Sequence, residues 1–255
     1  MTVSPQEFDL SIIWELCLQA EYDRPRLVAS LAEWLGPPAG LDVLDCASGS
    51  GFPSLDLCGL GYQVTSTDAS AVMLERFRRN AQRSHISIEP RQLRWDQLGS
   101  LYPARFDVAM CRGCSLIYAG TWDTDSIPDR QALERSLRGI VDSIAPGGRL
   151  YLDTVDEADD QVGWIDHHPQ EVDGHRVSFR ERVLPDSDAG TRRWVLQIQV
   201  DEERFEVQRR SHDLPHAALR ALLVDAGLEQ IERTPISGEQ YAVFTARKPQ
   251  ARSSR

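Results

Sequence analysis

Short apolar runs alternate with helical stripes along most of this chain. Residues 41–46 (Leu-Asp-Val-Leu-Asp-Cys) form a first run that closes in Ala47-Ser48-Gly49-Ser50-Gly51. A second run over 63–67 ends at Asp68, and Met73, Leu74, Phe77 and Ala81 then recur at helical spacing. Residues 86–93 predict a third strand; Pro90 offers no N–H to a ladder and so places it at a sheet edge. Residues 106–110 predict a fourth strand. Leu133, Leu137, Ile140, Val141 and Ile144 form one apolar helix face, which Pro146-Gly147-Gly148 is expected to stop before a fifth strand over 150–154. Two helices, over 8–22 and 25–35, are expected ahead of all this. Strands alternating with helices predict a parallel, doubly wound α/β sheet covered on both faces.

The texture changes after about Asp156. Residues 177–179, 194–200 and 204–207 read as short strands at hairpin spacing, with polar turns at 186–190 and 201–203. This predicts an antiparallel insertion over 157–214, not an independent domain. A helix then returns, with Pro215 near its start, Leu219, Leu222, Leu223 and Ala226 on one face, and Gly227 at its end. Residues 228–234 and 241–246 predict two closing strands. At 255 residues, against about 150 per domain, the chain reads as a single domain over 1–255.

Composition narrows the function classes. The hydrophobic set is 41%, enough for a sizeable core without staples. The formal charge of −11 repels phosphate backbones, so nucleic-acid and anionic-membrane partners are not expected. No apolar run approaches the roughly 18 residues of a membrane span. Five cysteines without a basic, apolar leader fit reduced thiols in a cytoplasmic protein. Cys111-Arg112-Gly113-Cys114 has metal-like spacing but no second pair, and His167-His168 beside Asp166 is expected on an exposed loop, so no metal is assigned.

A strand, then Asp45-Cys46-Ala47-Ser48-Gly49-Ser50-Gly51, then a helix, is the setting of a nucleotide-binding turn. Glycine lets the backbone approach a ligand where a Cβ collides. Asp68, 23 residues after Asp45 at the next strand end, can accept both hydroxyls of a ribose. A dinucleotide fingerprint read from Gly49 needs glycine at Ser54, and Pro53 removes an amide a pyrophosphate uses. Asp45 repels a pyrophosphate as well, yet can receive an ammonium. These features suit S-adenosylmethionine, which carries ammonium, carboxylate, sulfonium and ribose but no phosphate.

At these residues the chain resembles the class I S-adenosylmethionine-dependent methyltransferases, and within them the glycine and glycine/sarcosine N-methyltransferase group. Trp14 and Arg24, the stretch from Val43 to Gly51, the run Val64-Thr65-Ser66-Thr67-Asp68-Ala69-Ser70 with Met73, Trp95, and Gly113 with Ser115 carry the resemblance. It implies a seven-stranded sheet of order 3-2-1-4-5-7-6 with a small antiparallel cap over the acceptor pocket. N-terminal helices within 1–38 would cover the cofactor or exchange between subunits of a homo-oligomer. Arg24 would bind the cofactor carboxylate and Asp45 its ammonium. Ala47, Ser48, Gly49 and Gly51 would shape the methionine pocket, and Asp68 would hold the ribose. Ala69, Met73, Trp95 and Asp96 would border the adenine. Trp14, Cys111, Arg112 and Gly113 complete the expected cofactor contacts.

The chain departs from that group where the acceptor is held. Arg94 precedes Trp95, Cys114 stands for an Asn, Arg112 for a Leu, and Asp153-Thr154-Val155 for an Asp-His-Arg whose arginine clamps a carboxylate. A small-molecule acceptor, methylated at an amine nitrogen, is the expected reaction. O- or C-methylation, cyclisation of the cofactor's aminobutyrate arm, and a non-catalytic binding module are its rivals. Tyr118 and Arg112 are the candidate catalytic groups, and His212 or His216 a candidate base.

Overall fold

A computed structural model describes residues 15, 22–121, 126–156, 163–172, 174–186 and 190–251. Trp14 and most of the helix expected over 8–22 lie outside these residues. In chain order the described elements are α1 (Arg24–Leu35), β1 (Asp42–Asp45), α2 (Ser54–Gly59), β2 (Gln63–Asp68), α3 (Ala71–Arg83), β3 (Arg91–Gln92), α4 (Trp95–Leu101) and β4 (Phe106–Cys111). A 3₁₀ turn (Ser115–Tyr118), α5 (Arg130–Ser143) and β5 (Ile144–Thr154) follow. After them come β6 (Ile165–Asp166), β7 (Gln170–Val172), β8 (His175–Asp186), β9 (Thr191–Val200) and β10 (Glu203–His212). The chain closes with α6 (His216–Asp225), β11 (Glu229–Arg233) and β12 (Ala242–Arg247).

The main sheet has seven strands in the order β11-β12-β5-β4-β1-β2-β3. Counting only its own strands, this is the expected 3-2-1-4-5-7-6. β1 to β5 pair in parallel, while β12 runs antiparallel to both β5 and β11. Its strands alternate between two cores, as the two-residue period of a pleated sheet requires. Leu44, Ala109, Cys111, Leu150 and Leu152 face Leu137 and Ile140 of α5 and Leu222 and Leu223 of α6. Val43, Val108, Met110 and Tyr151 face Leu27, Leu31 and Leu35 of α1. Those three leucines are spaced four apart and fully buried or nearly so, each contributing about 1.5–3 kcal/mol by burial. Side chains cap the helix starts: Asp23 Oδ1 accepts from Arg26 N (3.3 Å), Ser70 Oγ from Met73 N (3.4 Å) and Asp129 Oδ1 from Gln131 N (3.0 Å).

Three elements differ from their sequence signal. β3 is two residues long, because Ile86 and Ile88 pack against Leu55, Phe77 and Ala81 instead of pairing; it is nonetheless the edge strand. β5 starts at Ile144 directly after α5, so Pro146-Gly147-Gly148 lies within the strand. The chain after β12 pairs there, with Gly147 N donating to Lys248 O and Lys248 N to Gly148 O, both 2.9 Å. The cap is a separate sheet, β10-β9-β8-β6 with β7 also on β8, and its three main strands, β8, β9 and β10, are 10 to 12 residues long. Their added residues are mostly charged, including Glu181, Arg182, Arg192, Arg193, Arg209 and Arg210, and carry no apolar alternation.

Gly139 of α5 faces the start of α4: a Cβ there would sit 2.0 Å from the Trp95 carbonyl oxygen. Backbone cannot yield as a flexible side chain does. G139A is expected to lower the unfolding free energy by about 2–4 kcal/mol, whereas G59A, which meets nothing within 4 Å, should gain about 0.4–1 kcal/mol. Urea unfolding of both variants checks this; equal effects would contradict the packing.

Candidate active site

A cavity of about 420 Å³ separates the carboxyl edge of the main sheet from the cap, within the range of small-molecule sites. Gly49, Asp68 and Trp95 line it from the sheet side, Tyr118 from the turn after β4, and Glu181, Arg192 and Trp194 from the cap.

The loop after β1 is held from both sides. Cys46 N donates to Met110 O of β4 (2.9 Å) and Ser48 N to Thr67 O of β2 (3.1 Å). Asp68 ties the turns together: Oδ2 accepts from Gly49 N (2.9 Å) and Oδ1 from Ser70 N (2.8 Å). A carboxylate oxygen has a second lone-pair direction, so Asp68 retains acceptor capacity toward the cavity. The Trp95 indole N–H donates to Cys46 O (2.6 Å), which fixes the ring beside the loop. Asp96 lines the same wall, with Oδ1 3.5 Å from Arg94 Nε. Two carboxylates, a positive-φ glycine and an aromatic face suit hydroxyls and a base; they repel a diphosphate, and Pro53 offers it no N–H. The donor set therefore fits a phosphate-free adenosyl group.

Of the residues singled out in the sequence, Ala47, Gly49, Asp68, Ala69, Met73, Trp95, Asp96, Gly113 and Tyr118 converge on the cavity. Arg24, Asp45, Ser48, Gly51, Cys111 and Arg112 do not line it. Arg24 Nη2 reaches Asp56 Oδ2 (3.3 Å) and the guanidinium lies 4.6 Å from the Phe52 ring centre. Asp45 is buried beneath the loop, where Oδ2 accepts from Ser54 Oγ (2.7 Å) and Oδ1 from Ala47 N (3.3 Å). Burial lifts its carboxyl to a pKa of about 6, against the lowering pull of Ser54 and Arg112. His212 and His216 also stay off the lining: His216 Nε2 contacts Val155 O (3.0 Å), and burial lowers the pKa of His212.

Arg112 is turned into the core. Its Nε and Nη2 donate to Glu239 Oε2 at 3.1 and 2.5 Å, and Tyr151 OH donates to the same oxygen at 3.1 Å. Both charged side chains are at most 5% exposed. A buried guanidinium with this partner is committed to structure, which corrects the reading of Arg112 as a candidate catalytic group and cofactor contact. Next to it, Asp153 accepts from Gly113 N (2.9 Å) and Cys114 N (2.7 Å), holding Cys114 in a left-handed turn of φ 54°. Burial, then the charge of Glu239, raises Asp153 to a pKa of about 7. His167 is a second correction. It lies on the loop between β6 and β7, and His168 beside it is exposed, but the His167 ring is not: it stacks on Phe179 at 4.1 Å, and Nε2 lies 2.8 Å from Glu181 Oε1.

Tyr22, Glu181, Arg192, Trp194, Gln240 and Tyr241 line the cavity without having been singled out. The cap residues sit in charged strand ends with no motif. Glu239 lies beside a hairpin turn, and only the fold brings it to Arg112.

Residues 43–148 match the family model described as a methyltransferase domain. Over 118 residues, 44% of this chain and 39% of the relative, the sequence is 33% identical to the glycine N-methyltransferase of Rattus norvegicus. It is 30% identical over 112 residues, 44% of this chain and 38% of the relative, to the glycine/sarcosine N-methyltransferase of Halorhodospira halochloris. The match thus spans about two fifths of the length of these curated relatives. In fold the chain is similar to the sugar N-methyltransferase KedS8 from Streptoalloteichus sp ATCC 53650, with a TM-score of 0.71, 20% identity and 93% of each chain covered. Residues 43–148 thus match a methyltransferase domain, and the fold around them is that of methyltransferases of known structure.

The raised pKa of Asp45 has a stability consequence of definite sign. Folding disfavours the charged form, so the cost is full above about pH 6 and shrinks as pH falls toward the ordinary carboxylate value. D45N, whose amide can donate to Ser54 Oγ while its oxygen accepts from Ala47 N, is expected to stabilise the cofactor-free protein by about 1–3 kcal/mol at pH 8. The gain should fall to about half by pH 5. Urea unfolding at both pH values checks it; a gain that grows on acidification would contradict the assignment.

Proposed function

We propose that the chain methylates an amine nitrogen of a small molecule, with the acceptor bound between the β1/β2 edge and the cap. The observation that carries this reading is one continuous cavity with an adenosyl-fitting wall on the sheet side and an acceptor wall on the cap side. Asp68 holds the ribose hydroxyls, and Ala69, Met73, Trp95 and Asp96 border the adenine. Ala47, Ser48, Gly49, Gly51 and Gly113 shape the methionine channel. Asp45 holds the loop backbone from beneath through Ala47 N and so sets the ammonium end of the channel indirectly, and Tyr22 lines the cavity wall. The names of the curated relatives, both N-methyltransferases, support nitrogen as the atom attacked.

S-adenosylmethionine, when bound, supplies an electrophilic methyl group on a sulfonium. The protein's task is then alignment, and orientation in such a pocket contributes up to about 7–11 kcal/mol of barrier lowering. The nitrogen must arrive neutral. Ile117, Val155 and Trp194 on the walls desolvate it, which lowers an amine's pKa. Burial raises the pKa of Tyr118 well above its ordinary value, so its hydroxyl stays protonated and acts as a hydrogen-bonding orienter, not a base.

The −11 charge supports a dissolved small molecule, not nucleic acid or an anionic membrane, as the partner. Among the described residues no helix is long and apolar enough to cross a membrane. A cytoplasmic setting and a homo-oligomer complete the proposal.

Calorimetry with S-adenosylmethionine, followed by mass spectrometry over an amine, phenol and acid panel, tests it. Binding is expected, with D68A weakening it at least tenfold and S-adenosylhomocysteine forming with a methylated amine. A folded protein that does not bind, or that yields methylthioadenosine, would refute it.

A further inference from the structure

The cap sheet presents one face to the cavity, and its charges do not balance. Across β8, β9 and β10 the register aligns Glu181 with Leu196 and Val207, then Val183 with Trp194 and Arg209, then Pro185 with Arg192 and Ser211. Side chains directly opposite share a face. Farther along, the same face is apolar, with Phe179, Ile198 and Phe205. Beside Tyr118 it becomes polar.

Arg192 and Arg209 are diagonal neighbours on this face, about 7–8 Å apart at the backbone. Arg192 lines the cavity together with Tyr118 and Glu181, and Arg209 stands on the same sheet face opposite Trp194. Like charges this close oppose each other. The acid of the same face, Glu181, is engaged elsewhere: it contacts His167 Nε2 and accepts from the Trp194 indole N–H. Among the described residues no carboxylate forms an ion pair with Arg192 or Arg209. Arg209 gives one N–H to Gln208 O (2.8 Å), but its buried Nε has no partner. Ser211, opposite Arg192, is fully buried and its hydroxyl also has no partner. Arg182 also lines the cavity and its buried Nε has no partner, but its guanidinium, like that of Arg180, rests on the Trp164 ring, 4.5 Å from its centre.

Buried or half-buried charge without a counter-ion is costly. Arg192 on the cavity wall, with Arg209 and Ser211 beside it on the same sheet face, one with an unpaired N–H and the other with an unpaired hydroxyl, makes this end of the cavity cationic and rich in donors. We infer that this end of the cavity binds an oxyanion, carboxylate or phosphate, carried by the acceptor, with Arg192 and Arg209 as its two cationic contacts. Guanidinium suits such a group because its N–H donors match the spacing of two oxygens. The anion would anchor the acceptor at the cap and leave its nucleophilic nitrogen toward the sheet edge. This inference rests on the reading of the cavity as an acceptor pocket, but the receptor itself needs no cofactor.

The test uses benzoate and phenyl phosphate as probes, with benzamide as the neutral match, titrated by calorimetry into the full chain with and without S-adenosylhomocysteine. At least one anion is expected to bind tenfold or more tightly than benzamide (1.4 kcal/mol). A preference for benzoate identifies a carboxylate and one for phenyl phosphate a phosphate. R192Q and R209Q should each abolish the preference, and R192K should keep part of it. If the wild-type protein shows no preference, or both glutamine variants retain it, the inference fails. The wild-type ratio decides even where a variant does not fold. Loss of S-adenosylhomocysteine binding with the anion preference intact would count against the cofactor reading alone.

Discussion

The Asp68 carboxylate is the constraint on which the site depends. One oxygen takes the Gly49 N–H and the other the Ser70 N–H. A single charged group thereby ties the turn after β1 to the turn after β2. Each such bond to a charged group is worth about 1.5–3 kcal/mol, and together they fix a gap between two loops that carry few buried apolar contacts. Trp95 closes the third side through the Cys46 carbonyl, and Gly139 lets the helix that starts at Trp95 approach α5. The adenosyl wall is therefore built from backbone groups oriented by one acid and one indole, all at the carboxyl edge of a parallel sheet, where such folds collect their ligands.

Behind that wall the protein keeps a second, internal set of charges. Arg112, Glu239, Tyr151 and Asp153 are buried together, and Asp153 fixes the backbone of Gly113 and Cys114. The arrangement is compensated: the cation has its acid, and the second acid has two N–H donors. The cap face beside Tyr118 lacks that compensation. The contrast separates a charge cluster that shapes a loop from one directed at a ligand, and it is visible only when partners are traced atom by atom.

Much of the sheet side was legible in the sequence because its chemistry lies at strand ends that hydrophobic runs mark. Asp45, Gly49 and Asp68 follow directly from where two apolar strands stop, and Pro90 announced the edge. The helix face of Leu133, Leu137 and Ile140 was equally plain. What failed to show has physical causes. Arg112 looks available in the sequence because Glu239, 127 residues later, reaches it only through the β11–β12 hairpin. The cap strands extend well beyond their apolar centres, and their flanking arginines carry no strand signal. The His167 ring gains its place by stacking on Phe179, a contact between a loop and a strand 12 residues on, with no local signature. Pro146 and two glycines signal a break, yet pairing with the chain after β12 draws them into a strand.

The central claim is that the cleft between β1 and β2 is shaped for an adenosyl sulfonium, with the acceptor on the cap side. A crystal structure of the protein with S-adenosylhomocysteine tests it most directly. The account predicts both ribose hydroxyls on Asp68, the adenine against Met73 and Trp95, and the sulfur facing the cavity toward Tyr118. An adenosyl group bound elsewhere, or a cleft that accepts a diphosphate dinucleotide in its place, would contradict it.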